Sequence, residues 1–160
     1  MTKTQELQRW IREYRSTTGI KEVNHHELAA WLKRKGWPMP KPKTDVDLLA
    51  EKISEAARLE TRQDKITGDQ YRAYHSFTVP NGSNGQLTLW VDIDEATRVQ
   101  MWKSTVNKRE QMVGEAWRLT IDVEHWNRIN PDQEPIQVPL DFQPDVDWRR
   151  NAPNEDEKAG

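Results

Sequence analysis

The sequence contains no cysteine. That excludes disulfides, thiolate zinc sites, cysteine-held iron–sulfur clusters and a cysteine nucleophile. Apolar material is also scarce: 34% of the 160 residues are hydrophobic against 31% charged, with a mean hydropathy of -1.01. A chain this lean builds a small core and leaves much of its length in solvent. No apolar run is longer than Leu28–Leu32. Neither a membrane span nor a secretory hydrophobic segment is therefore expected, and a soluble cytoplasmic protein is. The phosphate-binding patterns Gly-x-x-x-x-Gly-Lys and Gly-x-Gly-x-x-Gly are missing, as are the nucleophile elbow Gly-x-Ser-x-Gly, a nuclease-type Glu-x-Lys and any His-x-x-x-His pair.

What is present is tryptophan and an uneven charge. Eight tryptophans offset part of the aliphatic deficit, because each buries a large area. The net charge of -2 conceals an asymmetry: residues 1–75 carry 15 basic and 11 acidic side chains, and residues 76–160 carry 9 and 15. The halves are thus +4 and -6. The basic excess is densest in Lys33-Arg34-Lys35-Gly36-Trp37-Pro38-Met39-Pro40-Lys41-Pro42-Lys43, which has five cations and no acid. Beyond Asn130 three basic residues stand against eight acidic ones. Such separation suits a polyanionic partner at one end and a solvating or competing tail at the other.

Periodicity places the elements. Leu7, Trp10, Ile11 and Tyr14 recur at helical spacing over Thr4–Ser16, and Gly19 closes that helix. Ile20–Val23 is a short strand contact. Asn24 caps a second helix with the stripe Leu28, Ala29, Trp31, Leu32, stopped by Gly36. Pro38, Pro40 and Pro42 then fix extended backbone. Thr44 and Asp47 form a capping pair for a third helix to Leu59, whose buried face is Val46, Leu49, Ala50, Ile53, Ala56 and Ala57. Thr61–Asp69 reads as a polar loop. Period two follows, with Tyr71, Ala73, His75, Phe77 and Val79 on one face of a strand and Leu87, Leu89, Val91 and Ile93 on one face of the next, joined through Pro80–Gly85.

Asp94 is expected to cap a long helix to about Ile129, stopped by Asn130-Pro131, and Gly114 within it leaves open one rod or two segments. Val99, Trp102, Val106, Val113, Ala116 and Val123 fall on heptad positions along it. Ile136, Val138, Leu140 and Phe142 alternate like a strand, Val146 and Trp148 continue an apolar thread, and residues 151–160 are expected to be disordered. The fold class is α+β, mainly helical, with units at 1–93, 94–130 and 131–160.

The order helix, short strand, helix, helix, hairpin over Thr4–Ile93 resembles a winged-helix domain. Such domains usually contact DNA through the third helix and the hairpin, and some serve as protein-interaction modules. Leu89-Trp90-Val91-Asp92-Ile93-Asp94-Glu95-Ala96 and Glu134-Pro135-Ile136-Gln137 resemble segments of uncharacterised bacterial proteins, a likeness that implies no activity. The winged-helix pattern is broken where it would read DNA. The third helix and its end carry Asp45, Asp47, Glu51, Glu55 and Glu60 against Lys52 and Arg58, which repels phosphate. The hairpin tip has no basic residue, and the connection before the third helix is long and proline-rich.

A nucleic-acid contact therefore falls on Lys33, Arg34, Lys35, Trp37, Lys41 and Lys43, with Arg62, Lys65 and Arg72 adding charge. In that arrangement Trp37 stacks on a base or sugar while the lysines neutralise phosphate. The competing account packs Trp37 into the domain and leaves the lysines to solubilise the loop. Arg72, Tyr74, Ser76, Thr88 and Trp90 share the outer hairpin face, and the long helix is expected to cover them. The pairs Asp45/Asp47, Asp92/Asp94 and Asp145/Asp147 invite a magnesium reading, but the first two are explained as helix caps. His25 and His26 diverge on their helix, and His75 and His125 stand apart. No metal, cofactor, small-molecule substrate or catalytic constellation is expected.

Two functions fit. One is a non-enzymatic nucleic-acid-associated regulatory or accessory protein, binding DNA through the basic loop and dimerising by the long helix. The other is a protein-interaction module or assembly subunit without nucleic-acid contact. In either, partner contacts fall on Val99, Trp102, Val106, Val113, Ile136, Val138, Leu140, Phe142 and Trp148, the segment Ile136–Phe142 adding a strand to a partner's sheet.

Overall fold

The computed structural model describes residues 1–152. Among these are five α-helices and two small antiparallel sheets, a mainly helical α+β arrangement. Contacts divide the chain into two units, Met1–Lys52 and Ile53 onward, with the boundary inside the third helix rather than at 93.

In the first unit, helix α1 (Lys3–Thr18) begins with a capping box between Thr2 and Gln5 and ends at Gly19, whose φ of 71° is the left-handed cap that glycine adopts without strain. Helix α2 (His25–Arg34) is capped by Asn24, whose side chain accepts from the amides of His26 and Glu27. The core is Tyr14, Leu28 and Leu32, flanked by Trp10, Val23, Trp31 and Trp37. Trp31 anchors it edge-on, its ring centroid 5.7 Å from Trp10 and 5.4 Å from Tyr14. Ile20–Val23 forms no strand, since no partner strand lies beside it among the described residues.

Helix α3 (Asp45–Leu59) opens with the expected reciprocal bonds between Thr44 and Asp47. Its apolar stripe is not buried. Val46 is 75% exposed and Leu49 58%, and no α3 residue is buried. An amphipathic pattern gives a helix one apolar side but does not supply the surface that covers it.

The second unit holds the sheets. Strands β1 (Thr61–Gln63) and β2 (Gln70–Arg72) pair around a turn that the sequence reads as loop, and β3 (Tyr74–Pro80) pairs with β4 (Gln86–Asp92). The expected single strand from Tyr71 to Val79 is broken at Ala73. This residue is fully buried: its amide donates to the Glu60 carbonyl, and its own carbonyl accepts from the Ile93 amide. The bend there separates the residues that pair with β1 from those that pair with β4. The β3–β4 register sets Ser76 opposite Trp90 and Thr78 opposite Thr88 on one face, and Phe77 opposite Leu89 on the other, as alternation requires.

Helix α4 (Arg98–Ile129) starts later than expected. Thr97, not Asp94, is its cap, in a capping box with Gln100. It runs unbroken through Gly114, 32 residues, or about 48 Å of axis. Residues 131–142 do not form the expected strand. Asn127 holds both backbone groups of Ile136 at 2.9 Å, so the segment follows α4 without regular hydrogen bonding of its own. Helix α5 (Gln143–Asn151) then contains Val146 and Trp148, where an apolar thread was expected, and also Asn151. The rest of the expected disordered tail, 153–160, lies outside the described residues.

Candidate nucleic-acid interface

The basic loop is assembled from the end of α2 outward. Lys33 and Arg34 close the helix. Gly36 adopts a φ of 82°, and its amide bonds to the Lys33 carbonyl while the Trp37 amide bonds to that of Leu32. This pair of bonds is the Schellman motif, which brings the residue after the glycine back against the helix. Trp37 is carried into contact with the core that contains Leu32, partly buried. Lys35 sits with its ammonium 5.4 Å from the Trp31 ring centroid, and Lys43 pairs with Glu51. Lys33, Arg34 and Lys41 form no ion pair among the described residues. The loop is thus a basic surface whose one aromatic is turned inward.

Arg62 is engaged by acids. Its guanidinium makes a two-pronged contact with Asp92 at 2.7 Å on each prong, a third bond of 2.7 Å to Asp94, and lies 3.7 Å from Glu60. Hydrogen bonds from Arg62, then from the Asp94 amide, hold the Asp92 carboxyl below the ordinary carboxylate range. The Tyr71 hydroxyl donates to Asp94, and desolvation, followed by the Asp94 charge, pushes the phenol upward. Asp92 and Asp94 are therefore not helix caps. They clasp β1 to the end of β4 through one guanidinium. Lys65 is exposed in the 64–69 turn.

Arg72 belongs to a different feature. A cleft of about 860 Å³ opens between the β3–β4 hairpin and α4. Its charged lining is Arg58, Arg72, Lys108 and Arg109, with no aspartate or glutamate. Tyr74, Ser76, Thr88 and Trp90 line it too, so the outer hairpin face identified in the sequence is the wall of this cleft, and α4 is the wall opposite. The Arg58 guanidinium lies 5.9 Å from the Trp90 ring centroid, and Asn107 donates to Thr78 across the cleft at 3.4 Å. From Arg98 to Arg109 helix α4 carries four cations and no acid, which fixes the sign of its wall.

No protein-family model, curated protein or solved structure matches this chain. Only its geometry bears on function.

Arg58, Lys108 and Arg109 were not singled out in the sequence. The acid-free stretch of α4 is the signal that points to the latter two. Arg58 sits on a net acidic helix, and only the tertiary contact with Trp90 reveals it. The expected partner residues divide into two groups. Val138, Leu140 and Phe142 face Met112, Ala116 and Leu119 across a shallower groove of about 670 Å³, so this segment lies along the chain's own helix. Val99, Trp102, Val106 and Val113 are exposed on α4, at 60% for Trp102, and Trp148 on α5 is exposed at 71%. No group of three or more metal-ligating side chains is gathered among the described residues, and no described helix is long and apolar enough to cross a membrane.

Proposed function

We propose that this chain is a non-enzymatic, nucleic-acid-associated accessory or regulatory protein that holds its ligand in the cleft between the hairpin and α4. The observation that supports this is the composition of the cleft: four cations, the aromatics Tyr74, Phe77 and Trp90 and several hydroxyls, with no carboxylate. Cations on both walls attract a polyanion, and each phosphate neutralised releases a counterion. The basic loop Lys33–Lys43 adds long-range attraction rather than a stacking site, because Trp37 is packed against the core. A winged-helix scaffold is not needed for this reading, since every group that lines the cleft belongs to the second unit. Fluorescence anisotropy with labelled DNA oligonucleotides over a salt series tests it. Binding is expected to weaken linearly in log–log form, with a slope of magnitude about 3 if four phosphates are met by four cations. Absence of binding at the lowest salt refutes it.

A second reading, docking of a protein partner or a second copy, is favoured by the exposed α4 seam of Val99, Trp102, Val106 and Val113. Light scattering on the nucleic-acid-free chain and on its Trp102→Glu variant tests that. Self-association lost in the variant supports it, and a wild-type chain that remains monomeric at high concentration counts against a second copy.

A further inference from the structure

We infer that the cleft accepts single-stranded nucleic acid in preference to duplex, with a base stacked at the Trp90–Arg58 pair. This rests on the polyanion reading of the same cleft and sharpens it. Trp90 is 37% exposed although it lies within a paired strand, so its indole is available to a ligand inside the cleft. The Arg58 guanidinium over that ring is a second flat, cationic surface. Bases stack on both kinds of surface, and each base has a π-face to offer.

A duplex hides those faces within its own stack and meets proteins with its phosphates and groove edges. To reach Trp90 it would have to enter a space bounded on one side by a hairpin and on the other by a helix bonded to it at Asn107–Thr78. A cleft of about 860 Å³ has room for a few unpaired nucleotides. The charge layout agrees. Arg72 on the hairpin side and Lys108 and Arg109 on the helix side line the same cleft as Trp90, so a backbone passing through meets cations on either hand. At the Tyr74 end the cluster of Glu60, Asp92 and Asp94 with Arg62 has a net charge of -2 and ends the favourable path. The strand should therefore leave the cleft away from Tyr74.

The test compares a labelled oligothymidylate of about ten nucleotides with a duplex of equal length, both with the full chain at one salt concentration. Wild-type protein is expected to bind the single strand at least about tenfold more tightly, and Trp90→Ala is expected to lose about 5- to 100-fold on the single strand and little on the duplex. Because stacking releases no counterions, the salt slope of Trp90→Ala should match wild type, and Trp90→Phe should recover most of the binding. Equal affinity for the two probes, with Trp90→Ala changing neither, overturns the single-strand inference and leaves the polyanion cleft standing. Failure of both probes to bind at low salt overturns the polyanion reading itself. Thymidine monophosphate competing as well as the oligomer, nucleotide for nucleotide, also overturns it in favour of a small-anion pocket. If Trp90→Ala does not fold, the wild-type probe ratio and the Trp90→Phe measurement decide the question alone.

Discussion

Replacing Arg58, Arg72, Lys108 and Arg109 together by alanine is expected to lower affinity for single-stranded DNA by several hundred-fold near 0.1 M salt. The size follows from counterion release. For single strands the log–log slope changes by about 0.7 per phosphate contact, so losing the three backbone contacts of Arg72, Lys108 and Arg109 reduces it by about 2.1. Extrapolated from molar salt to a tenth of that, such a slope is worth roughly 100-fold, and the stacking surface lost with Arg58 adds at least about fivefold. The four side chains are exposed and none of them forms an ion pair with a residue distant in the chain, so the fold should survive their loss. A circular-dichroism melt is the control. Neutralising Lys33, Arg34, Lys35, Lys41 and Lys43 instead removes more formal charge but should cost less than about tenfold, since the neighbouring Trp31 and Trp37 are packed against the core and Lys43 is already paired with Glu51. If the loop variant loses more than the cleft variant, the interface lies on the loop and the cleft assignment is wrong.

Ala73→Leu is expected to destabilise the second unit by about 2–3 kcal/mol, through overpacking at a site with no free surface. Ala73 joins two ladders: its amide is bound to Glu60 and its carbonyl to Ile93, so the backbone cannot retreat to make room without giving up one of those bonds. For a unit of roughly a hundred residues that cost corresponds to a fall in Tm of about 10–20 °C. Ala73→Ser adds one atom rather than three and should be milder. The leucine variant should also lose nucleic-acid binding at temperatures where it is still largely folded, because the hairpin wall of the cleft is oriented by this junction. A variant that melts within about 2 °C of wild type would show that the bend at Ala73 is not the constraint it is taken to be.

Local chemistry made part of this molecule legible in its sequence. Gly19 and Gly36 end helices, Asn24 and the Thr44–Asp47 pair begin them, and these depend only on neighbours three or four residues away. The β3–β4 pairing followed from alternation and from the turn residues between the strands. Helix α4 was visible too, though its start was not. Asp94 looks like a cap, but Arg62 engages that carboxylate, and Thr97 with Gln100 makes the better box. The competition was settled by a residue 32 positions away.

The same distance rule accounts for what local pattern left open. Asn127 satisfies the backbone of Ile136, which fixes the start of the Ile136–Phe142 segment beside α4. Trp37 has the composition of a stacking residue and the position of a Schellman contact, and the position prevailed. The sequence by itself determined the ends of the first two helices, the faces of the hairpin strands, the absence of thiol chemistry and the uneven charge, because each is set by residue type or by close neighbours. Tertiary structure alone decided where the chain bends at Ala73 and that Arg58, Arg72, Lys108 and Arg109 line one cleft with Trp90. Those four cations come from α3, β2 and α4, and bringing them together takes the folding of the hairpin against the long helix, which no local pattern encodes.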